Sequence, residues 1–216
     1  MTITVMLQQL AGGMVKSIGI FGWTLVFSLP LGLLICFGRM SKCSLIRNII
    51  KIYISVMRGT PLMLQLLVIY YGPFYIFGLT LPASYRFTAV IVGFSLNYAA
   101  YFAEIYRSGI ESMPVGQYEA AQILGYSKRQ TFFTIILPQV IKRILPALTN
   151  EVITLVKDTS LAFSITYLEM FSLTKQIAAR ETSMVPFAAA AVFYYVFNLL
   201  VAAAMERIER KLDYYK

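Results

Sequence analysis

The chain has 216 residues, 58% of them hydrophobic and 13% charged. A water-soluble domain of this size carries about twice as many charges and far less apolar surface, so a soluble fold is excluded. The 19 Lys and Arg against 10 Asp and Glu leave a formal net charge of +9. Among long apolar runs, that excess reads as the basic inner loops of a membrane protein, with no nucleic-acid partner. Residues 1–16 form a short amphipathic start. Residues 17–38 carry no charge and are long enough to cross about 30 Å of hydrocarbon at about 1.5 Å per residue. No small-residue cleavage site follows, so this is an uncleaved first span.

Arg39, Lys42, Arg47 and Lys51 make a basic loop. A second span over residues 52–77 is interrupted by Met57-Arg58-Gly59-Thr60-Pro61. Thr60 is expected as an N-cap and Pro61 as the first residue of a helix that begins within the membrane. Tyr71-Gly72-Pro73 weakens the far end. The Gly, Pro and aromatic residues up to Tyr85 suit an interface. The third span covers residues 87–106. Residues 116–139 are then polar and helix-prone: Glu119 to Leu124 favour helix, Gly125 ends it, and Pro114 and Gly116 break the chain before it. The fourth span, residues 144–167, holds Asn150, Glu151, Lys157 and Asp158. Residues 168–183 are expected as a polar outer loop, residues 184–205 as the fifth span, and residues 206–216 as a charged tail of helical character.

Orientation follows from the basic residues. The loop at 39–51, the stretch at 107–143 and the tail hold 13 Lys and Arg; the opposite side holds four. The richer side is cytoplasmic, which puts the carboxyl terminus inside and the amino terminus outside, with five spans. The whole chain, residues 1–216, is expected to form one membrane domain. Histidine is absent, which removes imidazole triads and histidine metal sites. Cys36 lies in an apolar run and Cys43 in a basic loop, so neither a disulfide nor a metal site is expected. No GxxxxGK[ST] loop occurs, so any ATP used is hydrolysed by a partner.

Glu119-Ala120-Ala121 with Gly125, nine intervening residues to Ile135, and then Leu137-Pro138 resembles the EAA loop of ATP-binding-cassette importer permeases. Arg58-Gly59-Thr60-Pro61, Leu96-Asn97-Tyr98-Ala99-Ala100-Tyr101 with Glu104, and Lys157-Asp158-Thr159-Ser160-Leu161 look like the polar-amino-acid branch of that family. The resemblance implies an all-α, type I importer permease fold with five spans. It implies a cytoplasmic coupling helix at about residues 116–125 that docks on the ATPase through Gln117, Glu119, Ala120, Ala121, Leu124 and Gly125. The chain would then be no enzyme, since ATP and Mg²⁺ belong to the ATPase. The expected partners are two ATPase subunits, a second permease subunit (a homodimer), an extracytoplasmic amino-acid-binding protein, the amino acid and membrane lipid. The compartment implied is the prokaryotic cytoplasmic (inner) membrane.

Charged groups at membrane depth cost at least about 2.5–3.5 kcal/mol each, so they face protein or a water-filled cavity. Glu151, Thr154 and Asp158 share one face of the fourth span; Asn97, Tyr101 and Glu104 share one face of the third. These two faces suggest a pocket for a cationic side chain or an α-ammonium group. Backbone N–H groups near Thr60-Pro61, with Arg58 beside them, suit a carboxylate. The candidate substrate residues are therefore Arg58, Thr60, Asn97, Glu104, Glu151 and Asp158. Four of them have structural alternatives: Lys157 neutralises Glu104 or Glu151, Glu104 is solvated, Asn97 ties spans together, and Arg58 snorkels to the interface. The reading is ATP-driven import of a polar amino acid by alternating access, with arginine, lysine or histidine suited to the acidic faces and glutamine or glutamate as the alternative. An ion-driven secondary transporter is the rival; no internal repeat supports it.

Overall fold

In the computed structural model, which describes residues 1–212, every apolar run becomes a helix. The elements in order are α1 (Ile3–Arg39), α2 (Ser44–Gly59), α3 (Leu62–Phe77), α4 (Tyr85–Glu111), α5 (Val115–Ile123), α6 (Lys128–Gln130), α7 (Leu137–Asp158), α8 (Met170–Glu181) and α9 (Val185–Leu212). A π-helical stretch, Thr131–Ile136, joins α6 to α7, and a 3-10 stretch, Thr159–Ile165, extends α7. Lys128–Ile165 is thus one rod of 38 residues. Among the described residues four helices are long and apolar enough to cross a membrane, and the bent pair α2–α3, taken as one broken span, brings the number to five.

α1 and α4 form the centre. The buried face of α1 carries Gly13, Ser17, Ile20, Thr24, Ser28, Gly32 and Cys36, mostly small residues at helical spacing. Helices in lipid associate through close packing because the hydrophobic effect offers no preference there, so small residues set the contact. Phe94, Tyr98 and Phe102 of α4 fill the core with Ile20, Leu66 and Leu155. At the basic end, Arg39 of α1 (3.8 Å) and Arg107 of α4 (2.6 Å) both meet Glu104, and Arg107 also pairs with Glu111. α9 leaves Val192, Tyr195, Val196, Leu199 and Leu200 exposed, an apolar face suited to lipid or a partner subunit.

Several boundaries differ from the sequence reading. α1 begins at Ile3, so the amphipathic start and the first span are one helix. The helix that carries the fourth span begins at Lys128, because the polar residues after Ser127 continue the same rod. Ser127 starts that rod with a capping box to Gln130. Residues 168–183 are not a loop. Met170, Thr174, Ile177 and Ala178 are buried at helical spacing in α8, and Met170 and Ile177 pack with Met6, Leu10 and Met14 of α1. Glu169 caps α8, accepting from the Phe171 N–H at 2.6 Å and the Ser172 N–H at 2.7 Å. Ser17 (3.4 Å) and Tyr194 (3.3 Å) also donate to it. The charged tail is helical through Leu212; residues 213–216 of that expectation lie outside the described residues.

Two outcomes are expected. A Cβ at Gly32 would stand 2.9 Å from Phe102 Cβ and 3.1 Å from the Ala99 carbonyl, whereas a Cβ at Gly12 meets nothing within 4 Å. Gly32→Ala should lower stability by about 1–3 kcal/mol, and Gly12→Ala should raise it by up to about 1 kcal/mol, as read by thermal unfolding in detergent. Burial pushes the Glu169 carboxyl up to about 7 against its four donors. A carboxyl raised in the fold stabilises it below the unfolded value and loses that contribution as pH rises through the folded one. Thermal stability should therefore fall between about pH 4.5 and pH 7, and Glu169→Gln should flatten that slope.

Candidate functional site

The site is built around the break between α2 and α3, whose axes meet at 109°. In a continuous helix the Met57 carbonyl would accept from the N–H of residue 61, but Pro61 has none. Two side-chain amides replace it. Asn97 Nδ2 of α4 donates to the Met57 carbonyl at 3.0 Å, and Gln65 Nε2 of α3 donates at 2.9 Å. Gln65 Nε2 also reaches the Thr60 carbonyl (3.1 Å) and Thr60 Oγ1 (2.8 Å). Asn97 Nδ2 donates to Gln65 Oε1 at 2.9 Å, and Thr60 Oγ1 donates to the Val56 carbonyl at 2.8 Å. Both amide side chains are buried.

Thr60 caps the end of α2, and Pro61 precedes the first residue of α3, so α3 starts one position later than expected and Thr60 is not its N-cap. The missing N–H of Pro61 is spent on ending α2. Arg58 lies in the last turn of α2, exposed, with its guanidinium carbon 5.2 Å from the Tyr101 ring centre. It stands within electrostatic reach of Glu151. Glu151 is half-buried on α7 and feels Asp158 as well. Asp158 accepts from Tyr98 OH at 2.7 Å. Arg58, Tyr98, Tyr101, Glu151 and Asp158 therefore converge from α2, α4 and α7.

The other candidates are engaged elsewhere. Asn97 and Thr60 hold the break. Glu104 is bound by Arg107 and Arg39 rather than by Lys157, and Lys157 sits beside Asp158. Thr154 turns its hydroxyl to the Asn150 carbonyl, 2.9 Å away, although it shares the face of Glu151 and Asp158. Tyr98 and Gln65 escaped the sequence reading. A lone amide in the apolar run Leu62-Met63-Leu64-Gln65-Leu66-Leu67, four residues after a proline, is the signal that marks Gln65.

The polar stretch after α4 forms α5, with Pro114 preceding it. Gly125 stops it at φ 81°, in the left-handed region. The Tyr126 N–H bonds the Ala121 carbonyl and the Gly125 N–H bonds the Gln122 carbonyl, both at 3.0 Å, which closes the helix end. Gln117 exchanges two amide bonds with Gln139 of α7, at 2.9 and 3.0 Å. Ala121 is buried, while Glu119 and Ala120 are exposed. Val115, Ile123 and Leu124 are 70–87% exposed. A short helix whose ends turn three large apolar side chains to solvent while Ala121 faces inward has the form of a docking knob.

Comparison with known proteins identifies the family. Residues 28–214 match the family described as binding-protein-dependent transport system inner membrane component. The L-cystine transport system permease protein TcyB of Bacillus subtilis (strain 168) is 38% identical, over 95% of this chain and 87% of the relative. The octopine transport system permease protein OccM of Rhizobium radiobacter is 36% identical, over 85% of this chain and 79% of the relative. A chain in the crystal structure of an amino acid ABC transporter with histidines superposes with a TM-score of 0.86 at 32% identity, over 94% of each chain. Permease subunits of this kind are not enzymes; ATP hydrolysis lies on a separate subunit. The chain belongs to the binding-protein-dependent transport system inner membrane component family, as a membrane-spanning permease of the polar-amino-acid branch of ABC importers.

Proposed function

We propose that this permease imports a polar amino acid by alternating access, and that the convergence of Arg58, Glu151 and Asp158 at the α2–α3 break is its substrate site. Opposite charges from different helices suit a zwitterion. Arg58 takes the carboxylate, and Glu151 and Asp158 take the α-ammonium group or a cationic side chain. Tyr98 orients Asp158, and Tyr101 carries the Arg58 guanidinium on its face. Thr60 and Asn97 shape the site by holding the break, and Glu104 by tying α1 to α4. Arg58 lies near Glu151 and Lys157 beside Asp158; a basic amino acid such as arginine, lysine or histidine is the substrate that the two carboxylates suit, and glutamine and glutamate are the alternatives.

α5 supplies the coupling. Gln117, Glu119, Ala120, Ala121, Leu124 and Gly125 form the helix and its stop, and the exposed apolar edge fits a cleft on an ATPase subunit. Two such subunits bind ATP and Mg²⁺, and a second permease copy completes the membrane part. A binding protein delivers the amino acid from outside. The Lys and Arg distribution supports an outside amino terminus and a cytoplasmic carboxyl terminus. Closure of the ATPases pushes α5, the Gln117–Gln139 pair passes the motion to α7, and α7 carries Glu151 and Asp158.

Three experiments test this. In liposomes holding the complex, Glu151→Ala and Asp158→Ala should each raise the half-saturating concentration of the transported amino acid about tenfold or more, as for a lost bond to a charged group. Unchanged values in both variants would remove these carboxylates from the site. Unlabelled lysine and histidine should compete with arginine uptake better than glutamine or glutamate does; the reverse order selects the alternative substrates. Ala121→Asp places a charge at a position only 1% exposed. It should abolish ATP-driven uptake while membrane insertion persists, and normal uptake would remove α5 from the coupling role.

A further inference from the structure

We infer that Gln65 is the positioning residue that presents the Arg58 guanidinium to the substrate carboxylate. The inference rests on the substrate-site reading above and deepens it. Gln65 Nε2 holds the Met57 carbonyl on one side of Arg58 and the Thr60 carbonyl and hydroxyl on the other. Gln65 Oε1 is itself held by Asn97 Nδ2, so the clasp is anchored to α4. α4 also carries Tyr101, the ring over which Arg58 lies.

The hydrogen bonds all run in one consistent direction. Asn97 donates to Gln65, Gln65 donates to Thr60, and Thr60 donates to the Val56 carbonyl. Reversing the Gln65 amide would face its oxygen toward the Met57 and Thr60 carbonyls and its nitrogen toward the Asn97 nitrogen. One orientation is therefore fixed, and with it the end of α2. Arg58 itself has a long flexible side chain at an exposed position. Fixing its backbone on both sides limits the space that its guanidinium searches, which is how a positioning residue strengthens a contact it does not make. Gln65 does not need to touch the substrate.

The test is equilibrium binding to the permease–ATPase complex in nanodiscs, without the binding protein. The probe is labelled L-arginine or, where arginine does not bind, labelled L-glutamine or L-cystine. The competitor is the unlabelled form of the same amino acid or its α-carboxamide, which keeps the ammonium group and lacks the negative charge. The wild-type complex is expected to prefer the carboxylate by about tenfold or more, the effect of one charged hydrogen bond. Arg58→Ala should bring that preference to within about twofold. Gln65→Met, which keeps the volume and removes the amide, should do the same, and the double variant should go no further. If Gln65→Met does not assemble, Gln65→Glu takes its place. A variant at Gln65 that weakens both ligands equally and keeps the preference is merely structural and overturns the inference. An Arg58→Ala complex that keeps the preference overturns the site reading instead, and failure of all three probes to bind overturns both.

Discussion

A carbonyl in the middle of a membrane protein needs a donor, because lipid offers none and an unpaired group costs several kcal/mol. Pro61 removes the donor that the Met57 carbonyl would have had. That single vacancy explains much of what surrounds it. The chain turns through 109° there. Two buried amides, from two helices, are spent on the carbonyl. The turn leaves Arg58 at a helix end beside α4 and α7 rather than midway along a straight span. The proline would be a defect in an isolated helix. Here Gln65 and Asn97 satisfy the freed group and make the break a fixed feature of the fold.

The same bundle explains how a motion at one end reaches the other. Lys128–Ile165 runs without interruption from the region of α5 to Asp158. A continuous helix transmits displacement along its length, and the Gln117–Gln139 pair joins α5 to it. Opposing it, α1 and α4 are locked by small-residue packing and by the Arg39–Glu104–Arg107 cluster. In the proposed mechanism the rod moves and the α1–α4 pair holds, which is what rocking a cavity between two openings requires. Glu169 ties α1, α8 and α9 through one capped helix start.

Much of this was legible in the sequence because it rests on local chemistry. Apolar runs of about 20 residues mark spans whatever their neighbours are, and Pro61 and Gly125 mark stops through their own backbones. Glu151 and Asp158 were visible because charge is rare at that depth. What stayed hidden depends on distant partners. Asn97 and Glu104 sit on the same face as Tyr101, yet their polar atoms are claimed by Gln65, Met57, Arg107 and Arg39, which no spacing rule connects. α8 read as a loop because its helix depends on burial against α1 and on a glutamate cap, both set by tertiary contact. The helix of the fourth span extends beyond its apolar run for a related reason: the polar residues before that run are helical, and hydropathy gives no boundary there.

The side-chain amides of Gln65 and Asn97, by replacing the missing Pro61 N–H, hold the α2–α3 break rigid. The most direct measurement is the distance distribution between spin labels at Ile46 and Val68, two exposed positions on α2 and α3, with Cys36 and Cys43 replaced by serine. A narrow distribution is predicted for the otherwise native complex. It should broaden when Gln65→Met and Asn97→Leu are combined. An unchanged narrow distribution in the double variant would contradict the account, because the break would then be held without the amides.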